Sequence, residues 1–131
     1  MLRTVLTTPR TIRLEETVIP EPAEGDVIVK LYMTGICGSD VHFFKTGRPA
    51  DSPLTIGHEG LGTIFRAGPG VDASREGQRV VIEPNIPCNI CPECRSGRGN
   101  ICRNKRIIGV TEHGCFAEYV KVPAGFAHPL P

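Results

Sequence analysis

Six cysteines and four histidines carry most of the metal-binding and nucleophilic chemistry open to this 131-residue chain. Cys88, Cys91, Cys94 and Cys102 lie in PCNICPECRSGRGNIC with the spacing C-x2-C-x2-C-x7-C. Two-residue gaps bend the backbone so that neighbouring sulfurs converge. Four thiolates suit tetrahedral Zn(II) at Zn–S distances of about 2.3 Å and leave no open coordination position, so such a site is structural rather than catalytic. Two disulfides are the rival, but they belong to oxidising compartments, and two of the three pairings force a crowded near-neighbour bridge. A third alternative is a nucleic-acid or protein-binding zinc module using the basic run Arg95, Arg98, Arg103, Lys105 and Arg106. Against nucleic acid, no aromatic residue stands between Phe65 and Phe116 to stack on bases, and a solvated face is the ordinary reading of such a run.

The other two cysteines differ from these and from each other. Cys37 lies in GICGSDVHFF, with glycine on both sides of its Ile-Cys pair, and His58 and Glu59 occupy a second glycine-flanked stretch, IGHEG. A thiolate, an imidazole and a carboxylate from two loops can make a zinc site with a position left for water or substrate. Spacing alone leaves them equally open to being core or surface residues. Cys115, in GCFAEYVKV, reads as a small buried hydrophobe without a role.

The elements that must position these groups are mostly β. Fifteen glycines and twelve prolines interrupt the chain too often for long helices, while short β-branched runs recur between turn signals. Strands are expected over residues 4–7, 11–18, 27–33, 62–66, 79–83 and 115–122, closing into a small barrel. One short helix is expected over 38–45, where Val41 and Phe44 recur at spacing three. Residues 84–104 show neither periodicity and read as a loop, whose ordering costs roughly 1–2 kcal/mol per residue in backbone entropy unless something such as a metal holds it. The length allows one domain. The formal net charge of +1 argues against a general polyanion-binding surface. No long apolar run suggests a membrane span or a secretory signal, so the expected location is the cytoplasm, with neither membrane nor nucleic acid as partner.

In this order, GICGSDVHFF, LTIGHEGLGTI, PCNICPECRSGRGNIC and GCFAEYVKVP resemble the catalytic domain of the zinc-dependent medium-chain dehydrogenases, the family of alcohol, sorbitol and threonine dehydrogenases. CGSDVHF is most similar to the polyol (sorbitol-type) branch. The resemblance implies a GroES-like β-barrel over residues 1–131 with short helices, and a projecting zinc lobe at about 84–104 that holds structural zinc through Cys88, Cys91, Cys94 and Cys102. It implies that Cys37 and His58 ligate a catalytic zinc, with Glu59 as ligand or close neighbour. Asp40 would hydrogen-bond the ligand histidine, fixing its tautomer. Ser39 would bond the substrate alcohol, and His42 would end a proton relay through the cofactor ribose. His113 and His128 match nothing catalytic.

The implied reaction oxidises a small alcohol or polyol to a ketone or aldehyde, with zinc acidifying the hydroxyl and NAD or NADP taking the hydride. The family continues into a Rossmann domain, which this chain is expected to lack, since GLGTIF and GPGVDA lack the third glycine of G-x-G-x-x-G and a following helix. A third protein ligand would also come from beyond Pro131, with Glu59 able to substitute only by swinging inward. The chain alone is therefore expected to be inactive. An uncovered cleft wall around Phe43, Phe44 and Ile56 would invite self-association. A stand-alone zinc-binding interaction domain without redox chemistry is the alternative.

Overall fold

The computed structural model describes residues 1–47 and 53–131. The chain opens with an antiparallel hairpin, β1 (Leu2–Thr8) and β2 (Thr11–Glu16), turning at Arg10 with a φ of 62°. Next come β3 (Asp26–Gly35), the helix α1 (Gly38–Thr46), β4 (Glu59–Ala67), β5 (Arg79–Ile82), β6 (Asn85–Ile86), the one-turn helix α2 (Pro92–Arg95), β7 (Arg106–Ile107), β8 (Tyr119–Pro123) and β9 (Ala127–Pro129). The central sheet is antiparallel in the order β8-β3-β4-β5-β9, while β1-β2 and β6-β7 form two-stranded sheets.

The expected β class is what is found. The short alternating runs become strands because each has one set of residues to bury. In β5, Val80 and Ile82 face inward and Arg79 and Val81 outward. In β8, Val120 and Val122 do the same. With Val27, Val29, Ile64, Ile86, Ile108, Cys115 and Ala127 they form one buried cluster. Ile28 is also buried but lies outside that cluster, as do Val5, Leu6, Leu54 and Ile56. Register shifts between Ile28 and Val29 and between Leu31 and Met33 kink the long β3–β4 pair, and such bulges increase local twist, so the sheet curls into a half-barrel.

Three details depart from expectation. The stretch 115–122 is regular only from Tyr119, because Gly114, Cys115 and Phe116 instead bond Thr55, Gly57 and Ile56 across an irregular crossing. The sheet, among the described residues, is a curl whose edges β8 and β9 do not pair with each other. Finally, residues 84–104 are not structureless: β6, α2 and a 3-10 turn at Gly99–Ile101 lie there. Each is too short to show periodicity. No described helix is long and apolar enough to cross a membrane.

Candidate metal centres

The helix α1 begins at Cys37, which has extended backbone angles (φ −83°, ψ 157°) at the N-cap position directly after β3. Three residues on, Asp40 turns back so that its Oδ2 accepts the Cys37 N–H at 2.9 Å. A carboxylate in the first helical turn also suits the positive end of the helix dipole. Asp40 is only 2% exposed, and a buried carboxylate is costly unless fully partnered. Its second oxygen, Oδ1, faces Nδ1 of His58 at 3.5 Å, and both atoms are buried with no other hydrogen-bond partner. Closing that gap by a few tenths of an ångström makes Nδ1–H the donor and leaves Nε2 as the lone-pair nitrogen, which is how a carboxylate prepares an imidazole to ligate a metal.

Cys37, His58 and Glu59 bring a sulfur, a ring nitrogen and a carboxylate oxygen within 4.8 Å of one another. Glu59 starts β4 opposite Gly35 of β3, and a Cβ at Gly35 would collide with the Glu59 carboxylate. The glycine lets that carboxylate lie back toward Cys37, so no inward swing is needed to bring it to the group. Thiolate, imidazole and carboxylate together are a donor set that fits Zn(II) with a coordination position to spare. Beside them runs a cleft of about 510 Å³ lined by Met33, His58, Glu59, Leu61, Val81 and Ile82.

His58 is held from behind by backbone. Gly114 N–H donates to Thr55 O at 2.7 Å, Cys115 N–H to Gly57 O at 2.8 Å and Phe116 N–H to Ile56 O at 3.0 Å. Gly57 has a φ of +91°, and a Cβ there would sit 2.5 Å from the Phe116 ring. Gly57→Ala therefore meets both a left-handed backbone and an aromatic ring, and is expected to lower stability by about 2–4 kcal/mol. Chemical denaturation checks this; an unchanged midpoint would refute the packing described. Cys115 lies behind the same loop, its thiol pushed up to about 12 by burial and then by the nearby Asp40 charge. It is a buried core residue, as expected.

In the lobe, Cys91 caps α2 and Pro92 occupies its first turn, so the chain turns tightly between Cys91 and Cys94. All six cysteines are free thiols, and the lobe sulfurs lie within 4.8 Å of one another. The Cys91 and Cys94 sulfurs are 3.4 Å apart, and those of Cys91 and Cys102 3.9 Å. These separations are too long for the disulfide bonds of the rival reading, whose S–S length is about 2.05 Å. Backbone N–H groups of Ile90 and Cys91 draw the Cys88 thiol down to about 6. Burial, then the sulfurs of Cys91 and Cys102, push Cys94 up to about 12. Four thiolates this close repel one another when ionised, and a divalent cation at their centre relieves that repulsion. Nothing apolar replaces it: Ile90 is 71% and Ile101 53% exposed, while Ile86 belongs to the barrel core.

Four of the five residues of the basic run are tied into local structure. Arg103 Nε pairs with Glu93 at 2.9 Å, Arg106 with Glu112 at 2.9 Å, Lys105 Nζ donates to Asn100 O and Arg98 Nε to Ser96 Oγ. Of the remaining candidates, Ser39 is half-buried and His42 exposed on α1, and no contact ties either to the Cys37 group. Phe43 and Phe44 are half-buried, but Ile56 is 3% exposed and faces the interior, so it is not part of an open cleft wall. Exposed apolar side chains near the site are instead Met33, Ile36 and Val41. Glu93 escaped the sequence reading. It stands between two lobe cysteines, its Oε1 holds Arg103 next to Cys102, and its carboxylate, held below the usual range by backbone N–H and then by the Cys91 thiol, lies against the lobe sulfurs.

Residues 23–131 match the alcohol dehydrogenase GroES-like domain. The L-threonine 3-dehydrogenase of Legionella pneumophila (strain Corby) is 39% identical over 124 residues, covering 92% of this chain and 36% of that protein. The crystal structure of a short chain alcohol dehydrogenase, rspB, from Escherichia coli CFT073, complexed with NADH, superposes with a TM-score of 0.95 at 38% identity over 100% of this chain and 38% of its own. Galactitol-1-phosphate dehydrogenase from Escherichia coli superposes with a TM-score of 0.92 at 39% identity, again over 100% of this chain and 38% of its own. The chain thus spans little more than a third of the length of these relatives. Its fold, its two donor groups and these matches agree: the chain belongs to the alcohol dehydrogenase GroES-like family, within the zinc-dependent medium-chain dehydrogenases.

Proposed function

We propose that this chain is the zinc-binding catalytic domain of an NAD(P)-dependent dehydrogenase acting on a polyol or another secondary alcohol. The observation that carries the reading is the convergence of Cys37, His58 and Glu59 beside a cleft, with Asp40 buried behind His58. These three residues would hold the catalytic zinc, and Cys88, Cys91, Cys94 and Cys102 the structural one. Zinc at the first site supplies Lewis acidity that makes the substrate hydroxyl easier to deprotonate.

The protein's own groups do the rest. Asp40 fixes the ring of His58 and its tautomer. Ser39, on the first turn of α1, would accept the hydroxyl proton, and exposed His42 would release it to solvent. The apolar side chains of Met33, Leu61 and Val81 line the cleft at the substrate's carbon end. The relatives named for L-threonine and for galactitol-1-phosphate support a substrate with a secondary hydroxyl next to other polar groups. The nicotinamide is read as coming from a cofactor domain, so the 131 residues alone should neither bind NAD(P) nor oxidise alcohols, in a cytoplasmic setting.

The test is alcohol-dependent NAD(P) reduction by the protein carrying this chain with a cofactor domain. His42→Ala should slow turnover by roughly 10²-fold or less, mainly at lower pH, where proton release is harder and water substitutes poorly. Absence of turnover with any polyol or secondary alcohol, in a folded protein holding both metals, would overturn the reading.

A further inference from the structure

Among the described residues the outer edge of β2 has no covering strand, and its sequence, TIRLEE, is complementary to itself. The phase of its backbone follows from its neighbours. Met1 and Thr17 exchange two bonds, the terminal ammonium donating to Thr17 O at 2.6 Å and Thr17 N–H to Met1 O at 2.9 Å. Hydrogen-bonded pairs recur at every second residue, so Arg3–Glu15 and Val5–Arg13 are bonded to each other. The alternate residues of β1 confirm the phase: Thr4 and Leu6 donate away from β2, to Phe116 O and Leu54 O. The N–H and C=O groups of Ile12, Leu14 and Glu16 therefore point outward from β2, without partners among the described residues.

Natural sheets blunt such an edge with charged side chains, lysine above all, or with proline, a bulge or a cover. The six residues of β2 contain neither proline nor lysine; their charges, Arg13, Glu15 and Glu16, are of both signs, the hairpin's register shift is confined to its Leu6–Thr8 end, and Ile12 and Leu14 are 46% and 67% exposed on one face. We infer that β2 pairs antiparallel with β2 of a second copy of this chain, about a two-fold axis at Leu14. In that register Leu14 faces Leu14 of the second copy and Ile12 faces Glu16, all in the outward-bonding phase. Arg13 faces Glu15 of the second copy in the close, non-bonded phase, twice by symmetry.

The charges select this register. A shift of two residues one way sets Arg13 against Arg13, and the other way Glu15 against Glu15, and like charges directly opposite are unfavourable. Arg13 has no ion pair among the described residues, while Glu15 already accepts from Arg3 at 3.3 Å on the same face. The paired strands thus form an alternating row of Arg3, Glu15 and the second copy's Arg13. On the other face Leu2, Ile12 and Leu14 of both copies make one apolar stripe. Two strands bury well under the ~1,000 Å² of a stable interface, so the association is weak and concentration-dependent.

Sedimentation velocity on the zinc-loaded chain from about 5 to about 500 µM should show a monomer–dimer equilibrium, a range matched to a small interface. Amide exchange at Ile12, Leu14 and Glu16 should slow as the concentration rises. Arg13→Glu should weaken the dimer about tenfold or more, by replacing two attractive pairs with two repulsive ones. Leu14→Pro, which removes an outward donor and the Leu14–Leu14 contact but no bond to β1, should do the same. Mixing Arg13→Glu with Glu15→Arg should restore a heterodimer, because both cross-strand pairs are then opposite in sign. A monomer throughout, concentration-independent exchange at the three amides, or a dimer untouched by Arg13→Glu and Leu14→Pro, such as one formed through the Met33 and Ile36 surface, would each overturn the inference.

Discussion

Replacing Cys94 with serine is expected to strip the lobe of zinc and unfold residues 88–104 while the central sheet and Ile86 in its core stay in place. The reason is the division of apolar burial. The lobe's Ile90 and Ile101 face solvent, whereas the barrel cluster from Val27 to Ala127 is closed without them. The lobe is thus ordered by a few short-range bonds, such as Arg95 N–H to Cys91 O at 3.0 Å and Cys102 N–H to Gly99 O at 3.1 Å, and by whatever its sulfurs hold. Structural zinc contributes about 10–16 kcal/mol in small metal-folded peptides, far beyond what those bonds supply. Serine cannot donate a thiolate, so the fourfold set drops to three. Metal analysis should find one zinc fewer per chain, and proteolysis should cut first between Cys88 and Asn104, ahead of any loss of the sheet's circular dichroism. Arg103→Ala should have the same direction and a smaller effect, faster zinc loss to a chelator, because Glu93 then no longer ties α2 to the residue after Cys102. Unchanged zinc content and protease resistance in Cys94→Ser would refute the structural-zinc assignment.

How much of this was legible beforehand depended on how local each signal was. The lobe spacing C-x2-C-x2-C-x7-C is a local geometric statement: once Pro92 starts a single helical turn, Cys91 and Cys94 must fall on one side of it. The strands of the central sheet were legible for a similar reason, since alternation in RVVI and in YVKV states which side is buried. Cys37 and His58 were a different case. Nothing in a 20-residue separation says that two loops meet, and it took the order of four motifs to suggest it. The structure supplies what spacing could not: β3 and β4 pair with Gly35 opposite Glu59, so the loops at their ends are forced together.

What stayed hidden was carried by long-range or very short elements. β6 and β7 are two residues each and carry no period; they exist because Asn85 and Ile86 find Ile107 and Arg106 some twenty residues away. The early end of regular structure before Tyr119 has a cause that lies elsewhere in the chain, in the backbone groups of Thr55, Ile56 and Gly57 that capture Gly114, Cys115 and Phe116. Ile56, expected with Phe43 and Phe44 in an uncovered cleft wall, is turned inward by that same crossing. Glu93 had a weak local signal, an acid between two ligand-spaced cysteines. Its partner Arg103 lies ten residues on, in a run that reads as plain surface charge.

The sharpest discrimination concerns Asp40. If it orients the imidazole of His58, then Asp40→Asn should weaken metal at the Cys37 group by about 10–100-fold, the usual result of removing a carboxylate behind a ligand histidine. If it merely caps α1, asparagine should serve almost as well, since its Oδ1 still accepts the Cys37 N–H and asparagine is among the best capping residues. The two roles thus separate on metal affinity, with helix stability as the control. Cobalt(II) is the convenient probe, because thiolate and imidazole ligands give it distinct absorption, and the lobe and the Cys37 group can be loaded in sequence. Cys37→Ser and His58→Ala remove a ligand outright and should abolish the second set of cobalt bands while leaving the four-thiolate bands unchanged. In the protein that carries this chain with a cofactor domain, the same two substitutions should reduce turnover to background, because the three-donor group loses its hold on the Lewis acid. Glu59→Gln should fall between, since that carboxylate reaches the group from an exposed position at the edge of β4. The decisive comparison is Asp40→Asn against wild type in chain that is equally folded: equal cobalt affinity at the second site would reduce Asp40 to a helix cap, and equal turnover in Cys37→Ser would remove the catalytic centre from this cleft.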